Sequence, residues 1–492
     1  MSKVLTYKIY IDGKWISSES GEIFTRVNPA NYNEVLGKFQ QGNEKDVDKA
    51  VDAAEEAYEK WREVPPPKRG EILLRAAQLL RKQKEELARI MTREMGKVLT
   101  ETRADVQEAI DSCELMAGEG RRLFGRTTTS ELRDKFAMTV RLPLGVVACI
   151  TPWNFPIAIP AWKITAALIC GNTVVFKPSS DTPISATKFV EILKKAGIPK
   201  GVVNFVTGHG GTVGTRLVKN RKIRAVSFTG HKDTGAQILK DAGIGKKIGL
   251  EMGSKNPIII MDDADLKLAL DGVIWGAFGT SGQRCTAASR VIVHKKVRQK
   301  FERMLIDRTK KLRLGDGLNL KTDVGPLVNK AAQDKVTGYI EIGKDEGAKL
   351  CCGGKVPKLK GWFVEPTIFT DASPDMRIFQ EEIFGPVTSI TEAKNLDHAI
   401  DLANAVEYGL SSSIYTNDIK NMMHAIKYLE YGITYINSST IGAEVHLPFG
   451  GVKSSGSGWQ EVGWTAVNFF SDEKTVFIDY SGRLQRAQID ID

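Results

Sequence analysis

The sequence has 492 residues, 42% of them apolar and 26% charged, with a formal net charge of +10. That length exceeds what one hydrophobic core supports, so two or three structural units are expected. No run of about 18 apolar residues marks a membrane span, and the positive residues alternate with acids along amphipathic segments such as 68 to 97, with no aromatic-interleaved basic block of the kind that binds nucleic acid.

The N-terminal stretch MSKVLTYKIYIDGKWI lacks the apolar run and cleavage site of a signal peptide and reads as a strand pair around Asp12-Gly13. A cytoplasmic enzyme is the expectation. Residues 44 to 61 carry Val47, Ala50, Val51, Ala54, Tyr58 and Trp61 at helical spacing, with Asn43 as N-cap and Pro65-Pro66-Pro67 as the stop. A second long helix is predicted over 68 to 95 and a third over 99 to 123. From 145 the pattern changes: the apolar strands GVVACIT, TVVFKP, VVNFVTG, AVSFTG and IGLEMG alternate with helix-like segments such as 157 to 170 and 183 to 196, which predicts a parallel sheet with crossover helices. A second alternating series starts near NPIIIMDDADL and ends around 450, giving two α/β domains. FAMTVRLPLG, before the first series, and KTVFIDYSG, near the end, read as strands with no partner in either sheet.

The six cysteines form no CxxC motif and no cluster with histidine, so neither a disulfide scaffold nor a metal site is expected. Cys149 and Cys170 sit among apolar neighbours as core residues, and Cys351-Cys352 marks a strand end. Cys285 differs. It stands in GTSGQRCTAASR (279 to 290), after a Gly-rich turn and before small and hydroxylated residues, where a thiol can serve as a nucleophile. FTGHKDTG (228 to 235) places Gly230 after a strand and Gly235 at a helix start, a turn that lets a pyrophosphate approach backbone N–H groups and the helix dipole. Taken alone, this spacing is a weak signal.

Together with ITPWNFP (150 to 156), TVVFKPSSDTP (173 to 183), LEMGSKNP (250 to 257) and EEIFGPV (381 to 387), these motifs resemble the aldehyde dehydrogenase superfamily nearly end to end. The resemblance implies an α/β fold with a Rossmann-like cofactor domain (1–123 and 143–253), an α/β catalytic domain (254–452) and a small β oligomerisation element (124–142 and 453–492). A homodimer or homotetramer follows from that element, in which a strand added to a neighbour's sheet covers an exposed edge. The resemblance makes Cys285 the nucleophile, Glu251 the general base and Asn154, with the Cys285 backbone N–H, the oxyanion site.

For the cofactor it implies Thr151, Pro152, Trp153, Lys177, Ser179, Ser180, Gly230, His231, Gly235, Glu382 and Phe384. Lys177 would reach the adenosine ribose. Ser180 stands where NAD-selective members carry a glutamate that repels a 2′-phosphate, so NADP use is expected with NAD tolerated. Two residues depart from the family pattern. His231 replaces a common serine and either substitutes for its hydroxyl or points outward, and Ser254 replaces a glycine, which reduces backbone freedom.

Phe155, Ile159 and Trp162, at helical spacing, either line a substrate tunnel or form a packed helix face. Arg284 is suited to binding a substrate carboxylate bidentately. Glu108 matches an acid that works with this arginine in the antiquitin-type branch; alternatively, the two form a structural ion pair. EMG, GQRCTA and EVHLPFGGVKSSG are most similar to dehydrogenases of α-ketoglutarate semialdehyde, which implies a short dicarboxylate semialdehyde as substrate. The alternatives are a broad-specificity aldehyde dehydrogenase, a CoA-acylating one, against which Glu251 argues, and a non-catalytic relative, against which Cys285, Glu251, Asn154 and Lys177 together argue.

Overall fold

The computed structural model describes residues 4–490. Its N-terminal strands Ile9–Ile11 and Lys14–Ile16 pair antiparallel about Asp12 and Gly13, whose φ values of 47° and 77° make the tight turn expected of Asp-Gly. The first three residues of that stretch, and residues 491–492 of the C-terminal segment, lie outside the described residues.

Among the described residues, two seven-stranded sheets dominate. The first runs Lys247–Met252, Ile223–Gly230, Val146–Ile150, Thr173–Lys177, Val203–Phe205, then the N-terminal pair. Its first five strands are parallel. Both faces are covered, as a parallel sheet requires. Val147 and Cys149 face a core shared with helices Pro66–Lys82, Leu99–Glu119, Ala158–Ile169 and Pro183–Ala196. Val146, Ala148 and Ile150 face the opposite core, closed by Glu44–Trp61 and Lys232–Ala242. The order of the strands reverses beside Val146–Ile150, because the chain adds two strands on one side and then crosses to the other. Ligands bind at the carboxyl ends of strands at such a switch point, and here the segment that leaves the sheet is Thr151 to Pro156.

The second sheet runs Lys349–Cys352, Thr367–Thr370, Val387–Ala393, Ala288–His294, Asn256–Ile260, Ser411–Tyr415 and Ile433–Ile436, parallel except for its first pair. The two strands that lacked partners in the sequence reading pair with each other. Ser471–Asp479 runs antiparallel to Lys135–Pro143, which also pairs with Thr127–Thr129 in a third sheet. Helix Gly463–Phe469, just before, packs its Ala466, Val467 and Phe469 into the first core.

Helix Glu44–Trp61 begins at Asn43 with a full capping box, Asn43 and Asp46 each accepting from the other's backbone N–H. The single helix predicted over 68 to 95 is two, Pro66–Lys82 and Lys84–Met95, broken at Gln83 (φ −103°, ψ 10°). No proline or glycine marks that break. It redirects the chain so that Leu73, Ala76 and Leu80 before it and Leu87, Met91 and Met95 after it all enter one core, and packing overrides local propensity. The third helix, Leu99–Glu119, ends short of the predicted 123 at Gly120, where a Cβ would lie 2.7 Å from the Pro66 carbonyl oxygen.

Cys149 and Cys170 are fully enclosed, and burial pushes both thiols up to about 12, which leaves them inert. No helix among the described residues is long and apolar enough to cross a membrane.

Candidate active site

Cys285 follows a turn in which Thr280, Ser281 and Gly282 all adopt positive φ (53°, 56° and 69°). Non-glycine residues rarely do so. Their conformation is held from several sides: the Thr280 backbone N–H donates to Glu101 (2.7 Å), Ser281 Oγ donates to the Gly325 carbonyl (2.8 Å), and Gln283 Oε1 accepts from the Val328 N–H (2.9 Å). Beyond the cysteine, Asn256 Nδ2 donates to its carbonyl (2.7 Å). The thiol is thus delivered by a rigid turn at the edge of the second sheet.

Two cavities meet at this thiol. One, of about 800 Å3, is lined by Glu251, Arg284, Glu108, Phe155, Ile159 and Trp162 among others. The second, of about 230 Å3, is lined by Pro152, Trp153, Asn154, Gly230, His231, Glu382 and Phe384 among others. Cys285, Thr229 and Met252 line both. Burial pushes the Cys285 thiol up to about 12, and the nearby Glu382 and Glu251 carboxylates add to this. The thiol is therefore protonated at neutral pH and needs a base.

Glu251 lies at the end of strand Lys247–Met252, buried, and among the described residues no donor reaches either carboxylate oxygen in good hydrogen-bond geometry, the Gly451 backbone lying nearby. Burial, and then repulsion from Glu461, holds its carboxyl well above the usual carboxylate range. Glu461 is paired with Lys163, whose Nζ also donates to Ser227 Oγ (2.9 Å). The sequence reading missed both residues. A signal existed for Lys163, the lone charge in the apolar, fully buried helix Ala158–Ile169; a buried lysine there requires a carboxylate partner.

Asn154 is buried, and its Nδ2 donates to the Gln283 carbonyl (3.1 Å), two residues from the thiol. One Nδ2 proton remains available. Phe155, Ile159 and Trp162 line the larger cavity and also pack, Trp162 lying 5.2 Å from the Phe449 ring.

The proposed cofactor residues gather at the carboxyl edge of the first sheet. Thr151 and Lys177 are adjacent there, the Thr151 N–H donating to the Lys177 carbonyl (3.1 Å). Lys177 is buried, not a surface charge, and burial brings its ammonium down to about 8. Its Nζ donates to the Pro178 carbonyl (2.9 Å), and Ser180 Oγ to the Gly208 carbonyl (3.2 Å). Ser179 Oγ accepts from the Asp181 N–H (3.1 Å) in the same turn. Gly230 ends its strand; Gly235 lies in the first turn of helix Lys232–Ala242, where a Cβ would come within 2.4 Å of Met252 Sδ. His231 caps that helix, its Nδ1 accepting from the Asp233 N–H (3.3 Å). Glu382 is half-buried and accepts from the Ser254 N–H (2.9 Å), and Phe384 meets Trp153 edge to face at 5.4 Å. At Gly253 a Cβ would lie 2.2 Å from the Glu382 carboxylate, so a side chain there would have to displace that carboxylate. Ser254, by contrast, has no positive φ, and its side chain is used: Oγ accepts from the Leu410 N–H (3.3 Å).

The structural ion pair considered between Arg284 and Glu108 does not form. Arg284 donates instead to Glu101 (3.3 Å) and to Thr280 Oγ1 (2.8 Å), with its guanidinium 5.3 Å from the Phe155 ring and 4.9 Å from the Trp275 ring. Glu101, two helical turns earlier in Leu99–Glu119, intercepts it. Burial, and then the neighbouring Asp105, raises the Glu108 carboxyl to about 8, so it is largely neutral at pH 7.

This arrangement has close counterparts among known proteins. The model of the aldehyde dehydrogenase family matches residues 15–476. The chain belongs to that family. It is 42% identical over 481 residues to the α-ketoglutaric semialdehyde dehydrogenase of Bacillus subtilis, covering 96% of this chain and 98% of that protein. To the 2,5-dioxopentanoate dehydrogenase of Saccharolobus solfataricus it is 44% identical over 468 residues, covering 94% and 98%. The crystal structure of betaine aldehyde dehydrogenase from Staphylococcus aureus in complex with NAD+ superposes with a TM-score of 0.95 at 35% identity, covering 97% of this chain and 96% of that one. The protein is thus an aldehyde-oxidising dehydrogenase with the aldehyde dehydrogenase fold.

Proposed function

We propose that this aldehyde dehydrogenase oxidises a carboxylate-bearing semialdehyde, α-ketoglutarate semialdehyde by preference, with NADP or NAD as acceptor and with Cys285 as the covalent catalyst. The observation that carries this reading is the position of Cys285 at the junction of two cavities, one facing Arg284 and Glu251, the other facing Gly230, Glu382 and Phe384.

The smaller cavity and the sheet edge beside it suit a dinucleotide. Thr151 and Thr229 hydroxyls are buried there without a hydrogen-bond partner among the described residues. The N-terminus of helix Lys232–Ala242 favours a phosphate, and the Glu382 carboxylate can accept from ribose hydroxyls. When bound, the dinucleotide supplies the hydride acceptor that takes the substrate carbon from the aldehyde to the acyl oxidation level.

The remaining chemistry falls to the chain's own groups. Glu251 as carboxylate takes the Cys285 proton, and the sulfur attacks the aldehyde carbon. The carbonyl oxygen, now an alkoxide, is held by the free Asn154 Nδ2 proton and the Cys285 backbone N–H. After oxidation the acyl group remains on sulfur as a thioester. Glu251 releases the first proton to solvent and, again a carboxylate, deprotonates a water that attacks the acyl carbon; the carbon–sulfur bond breaks, the Cys285 thiolate takes the proton back from Glu251, and the acid leaves.

Ser180 supports the NADP reading, since no carboxylate stands there to repel a 2′-phosphate. Ser180→Glu is expected to lower kcat/KM for NADP by about 10- to 100-fold, as like charges in contact cost several kcal/mol, and to leave NAD turnover within about threefold. Steady-state titration of each cofactor checks this.

For the substrate, Arg284 supplies a guanidinium on the wall of the larger cavity, beside a Glu108 whose carboxyl burial raises to about 8. Kinetics with α-ketoglutarate semialdehyde, succinate semialdehyde and propanal test this directly. Arg284→Met should collapse the ratio of kcat/KM between the first substrate and propanal by about 10- to 100-fold, the worth of a charge-assisted hydrogen bond or two. No advantage of either semialdehyde over propanal in the native enzyme would leave a broad-specificity dehydrogenase, which the apolar wall of Phe155, Ile159 and Trp162 would serve equally.

The segments 1–123 with 143–253, 254–452, and 124–142 with 453–492 serve in this reading as cofactor, catalytic and oligomerisation units. Exposed Phe477, Ile478 and Tyr480 along the third sheet, and the open edge strand Ile433–Ile436 of the second, support assembly through strand addition between copies, as a homodimer or homotetramer. Six free cysteines fit a reducing, cytoplasmic setting.

A further inference from the structure

Helix Leu99–Glu119 presents two carboxylates one turn apart, and each is spent on the backbone of a different half of the site. Glu101 accepts from the Thr280 N–H (2.7 Å), in the turn that delivers Cys285. Asp105 Oδ1 accepts from the Ala158 N–H (2.8 Å), at the start of helix Ala158–Ile169, and its other oxygen accepts from Lys97 Nζ (2.6 Å). Lys97 Nζ also donates to the Asn154 carbonyl (3.0 Å) and lies 4.0 Å over the Phe155 ring. The Lys97 and Asp105 side chains are 0% exposed.

A fully buried ion pair adds little net stability compared with apolar residues of the same volume, because desolvation offsets the attraction. Stability alone therefore gives no reason for these two charges. Their contacts do: every atom they hold, other than each other, belongs to the segment from Asn154 to Ala158. Asn154 itself is weakly fixed by its side chain. Its Oδ1 has no partner among the described residues, and its Nδ2 has only the Gln283 carbonyl, so the direction of its second proton follows from where its backbone sits.

We propose that Lys97 and Asp105 are positioning residues for the Asn154 oxyanion donor: Asp105 fixes Lys97 against the start of helix Ala158–Ile169, and Lys97 clamps the Asn154 carbonyl, so that helix Leu99–Glu119 sets the spacing between amide and thiol. This rests on the reading of Asn154 as oxyanion donor. Displacing a positioned group by about 1 Å can cost on the order of 100-fold in rate, so a clamp made of charges confers what softer packing would not.

A double-mutant cycle tests the proposal on the full-length enzyme. The rate of the first-turnover NADPH burst with α-ketoglutarate semialdehyde is measured in the native protein, in Asp105→Asn, in Asn154→Ala and in the double variant. Asn154→Ala should slow the burst by about 100-fold or more. Asp105→Asn should slow it by about tenfold in the native background and by less than about twofold beside Asn154→Ala, because residues acting through one another are not additive. The KM for NADP should stay unchanged throughout. The same tenfold loss in both backgrounds, or no loss in the native one, would overturn the positioning role while leaving Asn154 in place. An undiminished burst in Asn154→Ala would instead remove the oxyanion reading and the proposal with it. Should Asp105→Asn fail to fold, the paired replacement Lys97→Met with Asp105→Leu, which strands no charge, takes its place in the cycle under the same criterion.

Discussion

Cys285→Ala is expected to lower aldehyde-dependent NADPH formation by roughly 10^4-fold or more, the scale on which removal of a covalent nucleophile acts in other enzymes. The effect should be this large because no other thiol can substitute. Cys113, Cys149 and Cys170 are buried, with burial pushing their thiols up to about 12, and Cys351 and Cys352 lie on strand Lys349–Cys352 at the far edge of the second sheet. The loss should be chemical. Cys285 is half-buried in a turn whose shape is set by the contacts of Thr280, Ser281 and Gln283, none of which uses the sulfur. The variant should therefore keep its NADP affinity and a thermal midpoint within a few degrees of the native protein, a shift equivalent to about 1 kcal/mol or less. Calorimetry and cofactor titration alongside the activity assay separate a dead site from an unfolded one.

The second large effect is expected from Glu251→Gln. Removing a general base typically costs about 10^2- to 10^4-fold, and in the proposed mechanism the same group serves twice, for the thiol and for the hydrolytic water. Two consequences follow from its environment. Burial and Glu461 raise the Glu251 carboxyl, so at low pH it is protonated and cannot accept a proton. Native kcat should accordingly climb with pH, with its acid limb above the ordinary carboxylate range, and Glu251→Gln should flatten that limb. The same raised value makes the carboxylate a stronger base once it ionises, and a thiol pushed up to about 12 demands one. A pH profile of kcat for both proteins reads this out.

Much of this site was legible in the sequence, but unevenly. The parallel sheet, its crossover helices and the turn before Cys285 announce themselves through short apolar strands and glycine, because backbone geometry constrains the residue types there. The partners of the charges do not. Arg284 stands beside Cys285 in the chain, yet nothing in the sequence says that Glu101 and not Glu108 meets it, since both lie on one face of the same helix and only packing decides which is closer. Lys97 sits between Gly96 and the next helix, where a lysine reads as solvated surface; its burial against Asn154 depends on residues 57 positions apart. The break at Gln83 was invisible for a related reason, being imposed by the core and not by any local breaker. His231 shows the converse. The sequence left open whether its imidazole replaces a serine hydroxyl or points outward; in the structure Nδ1 accepts from the Asp233 N–H and caps helix Lys232–Ala242.

In the proposed mechanism the acyl group passes through a thioester on Cys285 that Glu251 is needed to clear. Mass analysis of Glu251→Gln, quenched after mixing with NADP and α-ketoglutarate semialdehyde, tests it most directly. With Glu251 gone as base the thiol reacts only through its small thiolate fraction, so over a long incubation NADPH should form slowly, reach no more than one per subunit, and be matched by an acyl adduct on the peptide bearing Cys285. Free Cys285 in a variant that has released NADPH, or an adduct on any other residue, would contradict it.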